Sequence, residues 1–156
     1  MARKVFFSFH YRNDIWRVNS VRNHDITKDG IEESGYIDAA EFEKIKRQGE
    51  DSILRWIDGQ LEGTSVTVVL IGSETADREY VKYEIKKSIE RGNGLLGIYI
   101  HNIENQDGLK SSEGRNPFIS QSMSASFRYK TYDWVNDNGY KNFASWVEAA
   151  AKEAGK

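Results

Sequence analysis

The 156-residue sequence has no cysteine, a single proline and only three histidines. Without cysteine there is neither a disulfide nor a thiolate nucleophile, and a reducing, cytoplasmic setting is the simpler expectation. No apolar stretch reaches the roughly 18 residues that would suggest a membrane span. The first apolar run, Val5-Phe6-Phe7-Ser8-Phe9, is too short for a secretory h-region, runs into His10 and Arg12, and has no small-residue cleavage site. An excess of either charge is also missing: 22 basic residues stand against 24 acidic ones, for a net charge of −2, with the two signs interspersed. Such a balance offers no general attraction to a polyanion, so nucleic acid is not an expected partner. His10, His24 and His101 lie too far apart for metal-ligand spacing, and no metal is expected.

What is present is enough apolar material for a core, with 38% hydrophobic and 12% aromatic residues. A chain of this length suits one domain, spanning 1–156, that buries roughly two-thirds of its unfolded surface. Apolar runs alternate with segments of helical period. Val5–Phe9 reads as a strand, and Asn13–His24, with Ile15, Val18 and Val21 three apart, as an amphipathic helix. Residues 25–36 carry two glycines and read as a loop, before a very short strand around Tyr36-Ile37 that ends at Asp38. Phe42, Ile45, Ile53, Leu54, Ile57 and Leu61 stripe a long helix in which Gly49 marks a break. Val66–Ile71 is nearly continuous and β-branched, as in a strand covered on both faces.

Asp77 is then a candidate N-cap for a helix in which Val81, Ile85 and Ile89 recur every four residues, closed by Gly92 and Gly94. Leu95–Ile100 is another buried strand, residues 102–126 a long polar surface loop, and Phe127–Tyr132 an edge strand with Lys130 inside it. Tyr140, Phe143, Trp146, Val147 and Ala150 give the last helix its buried face, and Trp134 and Trp146 read as core and docking aromatics. Alternating strands and helices with continuous apolar strands predict an α/β, flavodoxin-like three-layer sandwich. Its sheet is five-stranded and mainly parallel, with helices on both faces.

In such a sheet, ligands bind beyond the carboxyl ends of the strands, at the topological switch point. The loops to search are Ser8–Asn13, Asp38–Ala40, Gly72–Arg78 and the residues from His101 onward. A phosphorelay receiver needs an acidic pair after the first strand and an aspartate after the third. This chain has Ser8-Phe9-His10 and Ile71-Gly72-Ser73 there instead. The phosphate loop of a flavodoxin, a G-x-G-x-x-G turn and a P-loop are also missing. The segment Tyr80-Val81-Lys82-Tyr83-Glu84 offers more. Tyr80 and Glu84 are four apart and share a helix face, with Glu84 at the margin of the Val81–Ile85–Ile89 stripe. A carboxylate close to the start of this helix is expected to be kept ionised by the helix dipole. The alternative is a surface glutamate paired with Lys82 or Lys87.

Several co-ordered segments carry a resemblance along almost the whole chain. Lys4-Val5-Phe6-Phe7-Ser8-Phe9-His10-Tyr11 resembles the first-strand box of TIR domains. With Arg17-Val18-Asn19, Val21-Arg22-Asn23-His24, Thr64–Thr67, Val69–Ser73 and Tyr83-Glu84-Ile85, it is similar to the TIR-like proteins of the Thoeris antiphage system, the ThsB group. Lys87–Glu90, Asn116-Pro117-Phe118, Tyr132–Val135 and Gly139-Tyr140 fit the same group. The resemblance implies cleavage of the nicotinamide–ribose bond of NAD by Glu84, and a cyclic ADP-ribose-type signal in antiviral defence. That signal would reach a separate NAD-depleting effector. NAD is then the substrate and no cofactor is needed, while a phage-derived trigger or self-assembly is the expected control.

Catalytic TIR domains carry tryptophan four residues before the glutamate, and Tyr80 stands there in this chain. The segment between Phe118 and Phe127 is shorter than in some relatives. Ser8, His10 and Ser73, at strand ends, can donate to phosphate or ribose, Phe9 can stack on a base, and Asp38 is either a second carboxylate or a helix cap. Asn19, Asn23 and His24 read as structural or surface groups. Two other functions fit the same residues: a non-enzymatic TIR-like adaptor working by homotypic assembly, and a nucleoside ribosyl-transfer enzyme using one glutamate at an anomeric carbon.

Overall fold

A computed structural model describes residues 3–23, 31–33 and 44–156. Among these, β1 (Arg3–Ser8), β2 (Ile31–Glu33), β3 (Val66–Ile71), β4 (Gly94–Tyr99) and β5 (Thr131–Asp133) form one sheet in the order β2-β1-β3-β4-β5. Every neighbouring pair is parallel. The helices α1 (Tyr11–Arg22), α2 (Glu50–Leu61), α3 (Glu79–Glu90), α4 (Met123–Arg128) and α5 (Gly139–Glu153) accompany it, and residues 44–46 are helical as well. The chain leaves β1 toward β2 on one side and returns to β3 on the other, so the switch point lies between β1 and β3. The expected flavodoxin-like, five-stranded sandwich is the observed one.

β3 is buried along its whole length because its two sets of alternate side chains meet different helices. Val66, Val68 and Leu70 join Val5, Phe7, Leu96 and Ile98 against α1 and α5, whose Val18, Val21, Phe143, Trp146 and Val147 fill that side. Val69 and Ile71 face the other way, toward Val81 and Ile85 of α3 and Phe118. Beside them, Phe6 of β1 packs on Ile53, Ile57 and Leu61 of α2. Each such side chain, fully buried, contributes roughly 1.5–3 kcal/mol relative to exposure.

Where the structure departs from the sequence pattern, the reasons are local. β2 lies at Ile31–Glu33, inside the stretch expected to be a loop, and the expected strand at Tyr36-Ile37 lies outside the described residues. β2 pairs at a sheet edge with Arg3–Val5 through its backbone, so it needs no continuous apolar run to announce it. The break expected at Gly49 is observed: residues 44–46 are helical before it, its φ is 107°, and α2 starts after it. Gly92 follows α3 as expected, whereas Gly94 opens β4.

The polar stretch after β4 is not loop throughout. Pro117–Ser120 is a short 3-10 helix with Pro117 and Phe118 buried. Ser122 caps α4, its Oγ accepting from the Ala125 amide at 3.0 Å. The expected strand Phe127–Tyr132 is thus helical at its start, with Phe127 81% exposed, and the edge strand begins at Thr131. In α5, Phe143, Trp146, Val147 and Ala150 are buried as expected, while Tyr140 stays exposed beside the Trp134 ring.

Candidate active site

On α3 the residues turned inward are Val81, Glu84, Ile85 and Ser88, the i, i+3, i+4, i+7 positions of a helix face. Glu84 is therefore buried, 9% exposed, within the apolar stripe and not at its margin. Its position in space follows from β1. Phe6 and Ser8 point to the α2/α3 side of the sheet, and Phe7 to the other. Ser8 Oγ donates to Glu84 Oε1 at 2.8 Å, at the carboxyl end of β1 and beside the switch point.

Below this pair a buried polar chain fixes α3 on the sheet. Ser88 Oγ donates to the Glu84 carbonyl at 2.7 Å and lies 2.6 Å from Thr67 Oγ1 of β3. Asn93 Nδ2 donates to Thr64 Oγ1 at 2.9 Å and to Thr67 Oγ1 at 3.3 Å. On its outer side α3 is tied to α2 by Tyr83, whose hydroxyl donates to Asp58 Oδ1 at 3.0 Å. A carboxyl on such a helix has little freedom to drift.

Burial pushes the Glu84 carboxyl up to about 8, and the Ser8 hydrogen bond only partly offsets this. The expectation of a dipole-ionised carboxylate is thereby corrected. Glu84 is the sixth residue of α3, beyond the first turn where the dipole acts, so desolvation decides its state. Nor is it a surface ion pair, since Lys82 lies 3.5 Å from Glu79 and Lys87 lies 3.4 Å from Glu90. Asp77, expected as the cap of α3, lies in the preceding 3-10 turn and pairs with Arg115, and Arg78 occupies the N-cap position.

The other candidates are distributed unequally around this carboxyl. Tyr80, four residues before Glu84, is half-buried and packs toward Phe6 and the Ile53–Ile57–Leu61 cluster of α2. Phe9 packs on the α1/α5 side, across the sheet from Glu84. His10 is buried at the N-cap of α1, with its carbonyl accepting from the Asp14 amide. Ser73 is half-buried just past the end of β3. Asp38 lies outside the described residues. The structure thus brings Ser8 and Glu84 into contact and places Phe9 on the other side of the sheet.

Three residues that sequence reasoning passed over complete this edge. Asp14 of α1 is 2% exposed and accepts from Thr75 Oγ1 at 3.3 Å, and Thr75 Oγ1 in turn accepts from the Gly72 amide at 2.8 Å. Arg17, also buried, donates from Nε to the Ile103 carbonyl at 2.7 Å and from Nη2 to the Leu109 carbonyl at 2.9 Å. A signal for two of them was available: 14, 17, 18 and 21 share one helix face with the buried Val18 and Val21. Among the described residues, no group of three or more His, Asp or Glu could hold a metal ion. No helix among them is long and apolar enough to cross a membrane.

Comparison with known proteins agrees with the ThsB resemblance. Residues 6–105 match the family described as Thoeris protein ThsB, TIR-like domain. The chain belongs to this family. The matched residues run from β1 past β4 and include Ser8, Asp14 and Glu84. A relative from Bacillus cereus (strain MSX-D12), named "Putative cyclic ADP-D-ribose synthase ThsB1", is 38% identical over 191 aligned positions. That alignment covers 94% of this chain and all of the relative. Since 191 positions exceed the 156 residues here, the relative carries segments that this family member lacks.

Proposed function

We propose that the protein cleaves the nicotinamide–ribose bond of NAD and closes the ADP-ribosyl product into a cyclic signal, with Glu84 as the catalytic carboxylate. The observation that carries this is the buried Glu84–Ser8 pair at the switch point of a sheet belonging to a family with a relative named as a cyclic ADP-D-ribose synthase. The chemistry suits so sparse a site. Nicotinamide departs as a neutral molecule from a cationic N-glycoside, so its departure requires no general acid. Positive charge develops on the ribose, as in glycoside cleavage, and one well-placed carboxylate can stabilise it.

A carboxyl held up near 8 is mostly protonated at neutral pH before substrate arrives. The cationic ring of NAD supplies the opposite charge that favours ionisation, so binding and activation are coupled. Ser8 keeps one carboxylate oxygen oriented and leaves the other for the ribose. Capture of the anomeric centre by a nucleophile within ADP-ribose gives the cyclic product, and capture by water gives linear ADP-ribose. NAD enters this scheme as substrate, with no further cofactor. A cytoplasmic setting, a phage-derived trigger and a separate NAD-depleting effector downstream complete the proposed pathway.

The test is incubation with NAD, with and without lysate of phage-infected cells, followed by separation of nicotinamide and the ADP-ribose isomers. Glu84→Gln is expected to lower nicotinamide release by on the order of 10²–10³-fold, the loss typical when a charge-stabilising group is removed. Equal turnover by wild type and variant would overturn the assignment.

A further inference from the structure

We infer that Arg17 is a positioning residue that fastens the loop after β4 across the rim of the sheet, and that this fastening sets how the ADP-ribosyl centre divides between internal capture and water. The inference rests on the NAD-cleaving reading above but concerns a different part of the molecule.

The loop keeps its own shape. Asn105 Oδ1 accepts from the Asp107 and Leu109 amides at 2.9 and 3.0 Å, the Asn105 amide donates to the Leu109 carbonyl at 2.9 Å, and the Ser111 amide donates to the His101 carbonyl at 2.9 Å. What these bonds do not fix is where the loop sits. Ile103, packed on the α1/α5 core, and Asn102, whose Nδ2 donates to Asp133 Oδ2 at 2.8 Å, place its start, and Arg17, a residue only 7% exposed, holds the 103–109 turn by reaching from α1 to the Ile103 and Leu109 carbonyls. Burying a guanidinium is costly, and a surface loop that only needed closing would not require one.

From the fastened loop the chain runs over the end of β3 to α3. Gly114 lies so close to the Gly72 carbonyl that a Cβ on Gly114 would stand 2.0 Å from that oxygen. Arg115 pairs with Asp77. Phe118 enters the cluster with Val81 and Ile85, and Gln121 Nε2 donates to the Lys82 carbonyl at 3.2 Å. Residues 101–121 thus form a strap from β4 across the end of β3, the strand next to β1 and its Ser8, to the helix that carries Glu84. Asn13 and Asp14 hold the loop beneath the strap, through Glu74 and through Thr75 and Gly72. Among the described residues, Arg17 is the side chain through which α1 hydrogen-bonds to the strap itself.

In the reaction, the C1′–N bond to nicotinamide breaks and nicotinamide leaves with the bonding pair. Either an internal nucleophile of the ADP-ribosyl unit or a water oxygen then bonds to C1′, and one proton is released in each case. Cleavage depends on Glu84, whereas the outcome depends on how many waters reach C1′ before the internal nucleophile does. A loosened strap therefore changes the product more than the rate.

The experiment compares wild type, Arg17→Ala, Arg17→Lys and Asn105→Ala as full chains under the condition that supports turnover. It records nicotinamide release, the ratio of linear to cyclic ADP-ribose, and amide hydrogen exchange over 103–109. Arg17→Ala is expected to speed exchange in the loop and to raise the linear-to-cyclic ratio by roughly 3- to 10-fold, with Arg17→Lys in between. Asn105→Ala opens the loop without touching Arg17 and should move the ratio in the same direction, which keeps the test valid if Arg17→Ala does not fold. Faster exchange with an unmoved ratio would overturn the inference and leave Arg17 as a loop anchor only. If wild type releases no nicotinamide in any condition, the catalytic reading fails and the inference falls with it.

Discussion

Two helices at the carboxyl edge of the sheet each turn a carboxyl inward, and their surroundings make different groups of them. Asp14 on α1 is 2% exposed and is pushed up to about 6, first by burial, with the Thr75 hydrogen bond and the Arg17 charge acting against the rise and Glu74 adding to it. Glu84 on α3 is pushed up to about 8 by burial, with the Ser8 hydrogen bond acting against the rise. Asp14 has a cation and a donor within the protein, and its oxygens pack so tightly on Gly72 that a Cβ there would stand 2.2 Å from Oδ2. Among the described residues, Glu84 has a donor in Ser8 and no cation that offsets its burial. The compensation for the first carboxyl is internal, so Asp14 is a fixture of the loop. The missing counter-charge of the second is one that a cationic substrate can supply.

The largest way to break this contrast is to fill the space beside Asp14. Gly72→Ala would drive its Cβ into both carboxyl oxygens, at 2.2 and 2.4 Å, and force either Asp14 or the end of β3 to move. A destabilisation of about 2–4 kcal/mol is expected, the upper part of the range for overpacking. Denaturant unfolding monitored by tryptophan fluorescence would measure it. A change within about 0.5 kcal/mol, the level of an inert surface site, would mean that Asp14 is not packed as described.

A somewhat smaller effect is expected from Glu84→Gln on stability, and its sign is diagnostic. The folded protein holds the Glu84 proton up to about 8, whereas in the unfolded chain the carboxyl titrates near its ordinary 4.5. Its contribution is therefore fully present below the unfolded value and is lost as pH rises toward 8 and beyond. The amide does not titrate. The variant should gain on wild type as pH rises from 5 to 9, by on the order of 1–3 kcal/mol, while losing activity. Melting curves at pH 5 and 9 that show a constant difference would sink the idea of a buried, uncompensated carboxyl.

The legibility of these two sites in the sequence differed for a physical reason. β1, β3, β4 and the helices α3 and α5 were readable because burial on both faces, or along one helix stripe, leaves a periodic apolar trace. Glu84 was readable through its helix and the family resemblance, yet its ionisation state was not, since desolvation depends on how deeply α3 sits against β1. β2 and β5 were mislaid because edge strands pair through the backbone, which side-chain patterns do not report. Asp14 and Arg17 were overlooked because charged residues on a short helix read as its solvent face, and only the positions of Val18 and Val21 reveal the reverse. Thr75 acquires its role solely from the fold, through a turn that brings it between Gly72 and Asp14.

Ser8 provides a finer test of the Glu84 side. Among the described residues its hydroxyl is the contact that lowers the Glu84 titration, so Ser8→Ala should push the carboxyl higher still. In the free enzyme kcat/KM should rise with pH through the region near 8, and the variant's rising limb should lie at higher pH than that of wild type. At neutral pH a rate loss of about tenfold, or roughly 1.4 kcal/mol, is expected from the lost charge-assisted bond. A variant with the wild-type pH profile would show that Ser8 packs beside the carboxyl without tuning it.

The smallest expected effect lies on the other carboxyl, and it completes the contrast. Asp14→Asn keeps the volume beside Gly72 and keeps an oxygen to accept from Thr75, while removing the titration. The Asp14 proton is held up to about 6 in the folded protein and to about 3.8 in the unfolded chain. Its contribution to stability is thus present below the lower value and is lost as pH rises through the higher one. Between pH 4 and 7 the variant should gain on wild type by on the order of 1 kcal/mol, less than at Glu84 because the folded and unfolded titrations of Asp14 lie closer together. Nicotinamide release should stay within about threefold of wild type at neutral pH, because Asp14 is taken up in bracing a loop through Thr75 and Gly72. Were Asp14→Asn instead to abolish cleavage as fully as Glu84→Gln, the two carboxyls would have to act as one catalytic pair.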